Sequence, residues 1–248
     1  MNIQVESSLK SLRLPEISRT YKVAAEKFEK SKDGYVNYLN YLCEAELQSR
    51  YEKRINRLLK ASNLNATKTI DSFNQESIDI SLCTKIKILK EGNWVKKHEN
   101  ILAFGTPGSG KTHLVSAIAR EMIFLGYSVY FTSCSNLIQM LLKSKRDYDL
   151  NKKLKSLRKF DILVLDDIGY IQQNEEEMEV LFQLLADRYE QASIMITSNL
   201  PFSKWDKIFK NPMTTAAAVD RLVHHCVILE MNIESYRLKA SKKSKNIE

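Results

Sequence analysis

The sequence predicts an α/β protein: a mainly parallel five-stranded sheet between helices, preceded by a small all-helical N-terminal domain. Two patterns carry this expectation. Five short apolar runs, "NILAF", "SVYFT", "FDILVL", "SIMITS" and "CVILEM", alternate with stretches of helical periodicity, and strands that alternate with helices build parallel sheets. Upstream of them, Tyr35, Tyr38, Leu39 and Leu42, and then Ile55, Leu58 and Leu59, recur at the intervals of one helix face. A polar stretch without periodicity, "KASNLNATKTIDSFNQES", separates the two patterns. The expected domains are therefore 1–65, helical, and 66–248, the α/β core with a short basic C-terminal tail.

Composition narrows the class of protein. Of 248 residues, 44% are hydrophobic and 27% charged, ordinary values for a globular chain and not those of a disordered or fibrous one. Lys and Arg outnumber Asp and Glu by 38 to 30, a formal charge of +8. A positive field of that size favours polyanionic partners, nucleic acid first among them. Cys43, Cys83, Cys134 and Cys226 show no metal-ligand or redox spacing, so they read as reduced thiols of a cytoplasmic protein. No stretch has the length of uninterrupted apolar sequence that a signal peptide or membrane span needs, so no membrane partner is expected.

Within the core, two helix stops are marked by glycine. Gly92 closes the stretch from Leu82 to Glu91, and Gly126 the one from Lys111 to Leu125, where a left-handed residue ends a helix. The first strand leads directly into "FGTPGSGKTH", a strand, a tight glycine turn and a helix in the order that a phosphate-binding loop requires. Gly105, Thr106, Pro107, Gly108, Ser109 and Gly110 turn backbone N–H groups toward an anion, and the helix N-terminus adds partial positive charge. Lys111 is expected on the β- and γ-phosphates of ATP, the Thr112 hydroxyl on Mg²⁺, and His113 beside them.

The strand "FDILVLDDIG" ends in two acids. At the ligand edge of a parallel sheet, Asp166 would hold Mg²⁺ through water and Asp167 would orient or deprotonate the attacking water; the plainer alternative is a solvated strand end. The next strand finishes in Thr197, Ser198 and Asn199. Asn199 suits a hydrogen bond to the γ-phosphate or the water, and a helix cap before Pro201 is its alternative.

Two basic segments stand out. Arg50, Lys53, Arg54 and Arg57 lie on one helix face, a stripe fit for successive DNA phosphates or simply a solvated face. Between the second strand and the acid-bearing one, Lys143, Lys145, Arg146, Lys152, Lys153, Lys155, Arg158 and Lys159 face only Asp147 and Asp149; Lys143, Lys145 and Arg146 are the first candidates for DNA contact.

Taken together, "LKSLRLPEISRTY", "ILAFGTPGSGKTHLVSAIA", "DILVLDDIGYI", "ITSNLPFSKW" and "AAAVDRLVHH" resemble the IstB/DnaC-like AAA+ ATPases, most of all the IstB-type transposition helpers of bacterial insertion sequences. The resemblance spans nearly the whole chain. It implies an AAA+ core that self-associates into a ring or spiral, binds duplex DNA and serves a transposase, with a DnaC-like loader of a replicative helicase as the alternative partner role. It further implies that Arg221 acts as the arginine finger donated to a neighbouring subunit and Arg237 as a second sensor arginine; on the residues alone, helix-surface salt bridges are the alternative for both. The family pattern has glutamate where this chain has Asp167, one methylene shorter, so that the water must sit closer or hydrolysis must be slow. A small-molecule kinase also carries such a loop, but it needs an arginine-bearing lid and seldom shows the paired acids.

Overall fold

The computed structural model describes residues 2–31, 34–73, 78–168, 174–207, 212–231 and 235. Contacts divide the chain into Met1–Arg57 and Leu58–Glu248, against the 65/66 boundary expected from composition. No helix among the described residues is long and apolar enough to cross a membrane.

The N-terminal unit is helical: α1 (Asn2–Ser11), α2 (Pro15–Ser31) and α3, which begins at Tyr35 and runs on to Ala61. Proline opens α2 at the position where its missing N–H costs nothing. Glu46 of α3 accepts from the backbone N–H groups of Glu16 and Ile17 at 2.8 and 3.2 Å, so a carboxylate from another helix caps the first turn of α2. Ile17, Ala24 and Leu42 form its small core.

The larger unit contains one sheet of five strands: β1 (Asn100–Gly105), β2 (Val129–Ser133), β3 (Ile162–Ile168), β4 (Ser193–Ser198) and β5 (Cys226–Met231). Their order is β2-β3-β4-β1-β5, and every pairing is parallel. β1, β3 and β4 are apolar on both faces because helices cover both. Leu102, Leu163, Leu165, Ile194 and Ile196 share one core cluster with residues of α7 (Cys134–Arg146), α8 (Leu150–Leu157), α9 (Glu175–Arg188) and α10 (Pro212–Val223). Alternate strand residues, Ile101, Ala103, Val164 and Met195, are fully buried and point to the opposite face, where α6 (Lys111–Phe124) packs on the sheet and α4 (Ile80–Lys90) on α6 and β5. Between α4 and β1 lies the one-turn α5 (Asn93–Lys96).

Gly92 and Gly126 adopt φ of 74° and 92°, so both expected helix stops are realised. Residues 62–73, part of the stretch without periodicity, pack on the core. Phe131 N–H of β2 donates to Ser62 O at 2.8 Å, and Ser62 is fully buried. Since β2 is an edge strand, this segment covers part of an otherwise open edge.

Candidate nucleotide site

Parallel strands place all their C-terminal ends on one edge, and the expected loop and acids meet there. β1 ends at Gly105, where a side chain would come within 2.5 Å of Met231 O and 2.9 Å of Ser109 Oγ; only hydrogen fits this close approach to β5. Gly110 holds φ of 93° at the N-cap of α6, a left-handed conformation that glycine adopts without strain. Thr106 and Pro107 are exposed, Gly108, Gly110, Thr112 and His113 half-buried, and Ser109 and Lys111 buried. Lys111 Nζ donates to Gly105 O and Thr106 O, both at 2.9 Å, so its charge is held at the loop itself. Ser109 Oγ is buried without a hydrogen-bond partner, an unmet polar atom inside the loop.

β3 carries the acids to the same edge. Thr197 Oγ1 on β4 donates to Asp166 Oδ1 at 2.7 Å and accepts from Asp167 N–H at 2.8 Å, so one hydroxyl fixes both acids. The register is irregular between Leu165 and Ile168, and Asp167 sits at φ 59°. An aspartate tolerates that left-handed conformation better than most residues, and the bulge leaves its side chain exposed while Asp166 stays half-buried. Because β4 separates β1 from β3, Asp166 stands about 10 Å from the loop strand across two inter-strand spacings. Asn199, just past β4, is half-buried with an unpartnered buried Oδ1. Ser198, by contrast, is spent on the backbone: its hydroxyl donates to Ile168 O and accepts from Leu200 N–H, each at 3.0 Å. The glycine cradle, the buried lysine, the half-buried Thr112 and Asp166, and the unmet Ser109 and Asn199 oxygens form a donor and acceptor set that suits a triphosphate with Mg²⁺.

Composition gave no sign of what lies over the loop. His113 Nε2 donates to Thr69 O at 3.0 Å and lies 3.1 Å from Ser72 Oγ, while the Phe73 ring meets the His113 ring edge-on at 5.4 Å. The segment from Thr69 to Phe73 thus braces the start of α6. The signal that could have found it is an aromatic residue within a polar stretch.

Arg221 lies at the other edge of the sheet. It is in the last turn of α10, whose Leu222 O accepts from Asn100 Nδ2 at 3.2 Å, and Asn100 begins β1. β1 is six residues long, roughly 17 Å at strand rise, so Arg221 is farther from its own loop than a side chain reaches. Its guanidinium stacks 4.6 Å from the Phe182 ring centroid, and Nη1 is buried without a partner. Arg237 lies outside the described residues.

The basic candidates are unequal. Lys145 is ion-paired to Glu179 at 2.7 Å, whereas Lys143 and Arg146 are exposed in the last turn of α7. On the N-terminal unit, Arg50 binds Glu46 at 2.8 Å and Arg13 O, while Lys53, Arg54 and Arg57 are exposed.

The chain is similar to ATP-binding proteins of insertion sequences. An insertion sequence ATP-binding protein of Sinorhizobium fredii is 40% identical over 238 residues, 96% of this chain and 80% of that one. The insertion sequence IS5376 ATP-binding protein of Geobacillus stearothermophilus is 36% identical, over 93% of this chain and 92% of its own. Among solved structures, AMPPCP-bound DnaA from Aquifex aeolicus superposes with a TM-score of 0.57 at 22% identity, covering 75% of this chain and 56% of that one, which shows the shared AAA+ fold. The family profile described as IstB-like ATP binding protein matches residues 7–244, and the chain belongs to that family.

Proposed function

We propose that this protein is a Mg²⁺-dependent ATPase of the bacterial cytoplasm that assembles on duplex DNA as a ring or spiral and helps a transposase in DNA transposition. The observation that carries the reading is the division of the candidate groups between two sheet edges: loop, acid pair and Asn199 on one, Arg221 on the other. A single chain then holds most of a hydrolytic site and, remote from it, an arginine suited to complete the site of a neighbour. Lys111 would bind the β- and γ-phosphates, Thr112 and Asp166 would hold Mg²⁺, and Asn199 would report the γ-phosphate. Mg²⁺ supplies charge neutralisation on the phosphate oxygens when bound. Asp167 would orient the attacking water, and its exposure and shorter side chain favour slow turnover. Arg237 is proposed as a second sensor. A helicase-loading role would use the same core, but relatives named for insertion sequences favour the transposase.

Two substitutions test the assignment. Lys111→Ala removes the cation from the phosphates and is expected to abolish fluorescent-ATP binding; near-normal affinity would sink the reading. Asp167→Asn preserves the loop and the Mg²⁺ ligands, so binding is expected to persist while hydrolysis falls by about 100-fold or more, the usual loss when a proton-accepting group is removed. Unchanged turnover would exclude Asp167 from water orientation.

A further inference from the structure

Behind Arg221, at the edge of the sheet away from the nucleotide loop, three side chains from two chain segments converge. Glu190 follows α9, and His224 and His225 form the turn between α10 and β5. One ligand atom from each lies within 4.8 Å of the other two, and all three residues are exposed. Among the described residues they are the only His, Cys, Asp or Glu group so arranged. We propose that Glu190, His224 and His225 form a binding site for a divalent transition-metal ion, with Zn²⁺ the natural occupant.

The chemistry favours zinc. Two imidazoles and one carboxylate are a known ligand set for Zn²⁺, with bonds of about 2.0–2.2 Å, so atoms on a shared tetrahedral ion stand about 3.3 Å apart. The three side chains are exposed, and closing to that spacing calls for their rotation. The His224 and His225 rings already lie 4.1 Å apart. Tyr189 Oη is 2.9 Å from His224 Nδ1, the kind of contact that orients a ligating imidazole and leaves its other nitrogen for the ion. Glu190 holds φ of 57° at the end of a helix, a place where glycine or asparagine is usual; here the position carries a carboxylate beside two imidazoles. Cys226 follows His225 directly, but its side chain packs on the hydrophobic core and takes no part.

Glu190 and His225 also line a cavity of about 240 Å³ with Lys97, His98 and Arg221. The nearby cations weaken the site, and the carboxylate offsets one charge of the ion. Bound there, the ion would tie the end of α9 to the α10–β5 turn, the two segments that frame Arg221.

The test is titration of the purified full-length chain with Zn²⁺ against a chromogenic chelator. One ion per chain is expected, with binding lost in the Glu190→Ala, His224→Ala, His225→Ala triple variant and weakened about tenfold by Tyr189→Phe, which removes only the orienting contact. Absence of binding by the parent chain, or undiminished binding by the triple variant, overturns the proposal. Should the triple variant fail to fold, Co²⁺ bound to the parent chain decides. A visible spectrum without thiolate charge-transfer bands supports the imidazole and carboxylate site, and thiolate bands overturn it by moving the ion to the cysteines.

Discussion

At the scale of single residues, the same residue type does opposite work depending on what surrounds it. Asp166 and Asp167 are neighbours, yet one is half-buried and fixed by Thr197 while the other turns outward at a left-handed bulge. Arg188 is buried and donates to the carbonyls of Leu157, Phe160 and Ser193 at 3.0 Å each, and burial pushes its pKa down to about 10 even with Asp187 and Asp161 nearby. It knits the chain around β3 and β4. Glu46 is 4% exposed; burial works against its charge, but Arg50 and the backbone N–H groups of Ile17 and Glu16 prevail and hold its carboxyl below the usual value of 4.5. A carboxylate whose folded pKa is depressed contributes stability above its unfolded pKa and loses it as pH falls through the folded one. Glu46→Gln is therefore expected to destabilise the protein by about 1–2 kcal/mol at pH 7. The gap from the parent should shrink below about pH 4.5. Thermal unfolding of both proteins across pH checks this, and a gap independent of pH would contradict it.

At the scale of elements, helix ends decide where charge is available. Lys143, Lys145 and Arg146 occupy the last turn of α7, where cations complement the helix dipole, so their clustering has a structural cause whether or not DNA binds. Lys145 is engaged by Glu179 of α9, and Arg158 by Asp187 of the same helix. If α7 tracks a phosphate backbone in the ATP-bound assembly, the exposed Lys143 and Arg146 make the contacts and Lys145 contributes less. Each lost phosphate contact should reduce the slope of log affinity against log salt by about 0.9 on duplex DNA. Lys143→Ala with Arg146→Ala is expected to weaken ATP-dependent DNA binding and flatten that slope by up to about 2, while Lys145→Ala changes it little. Binding isotherms over a salt series measure both, and an unchanged slope in the double variant would shift attention to Lys53, Arg54 and Arg57.

At the scale of the whole molecule, the parallel sheet separates what one chain offers its own nucleotide from what it offers another's. If Arg221 acts in trans, mixing Arg221→Ala and Lys111→Ala proteins, each inactive alone, should restore part of the ATPase rate, because some interfaces then join an intact loop to an intact arginine; no recovery from a mixture that still assembles would assign Arg221 a structural role. The sequence by itself determined the strands, the loop after β1 and the acids after β3, since both patterns are local: buried strands demand apolar runs, and a loop that wraps phosphate demands glycine. The helix stops at Gly92 and Gly126 were legible for the same reason. Only the tertiary structure decided the rest, because it depends on partners far along the chain. Thr197 reaches both acids across 30 residues or more, Glu46 caps a helix 30 residues upstream, and His113 finds Thr69 and Ser72 in a stretch whose composition reads as a linker. A polar segment without periodicity can still be ordered when its backbone groups find partners on a core built elsewhere.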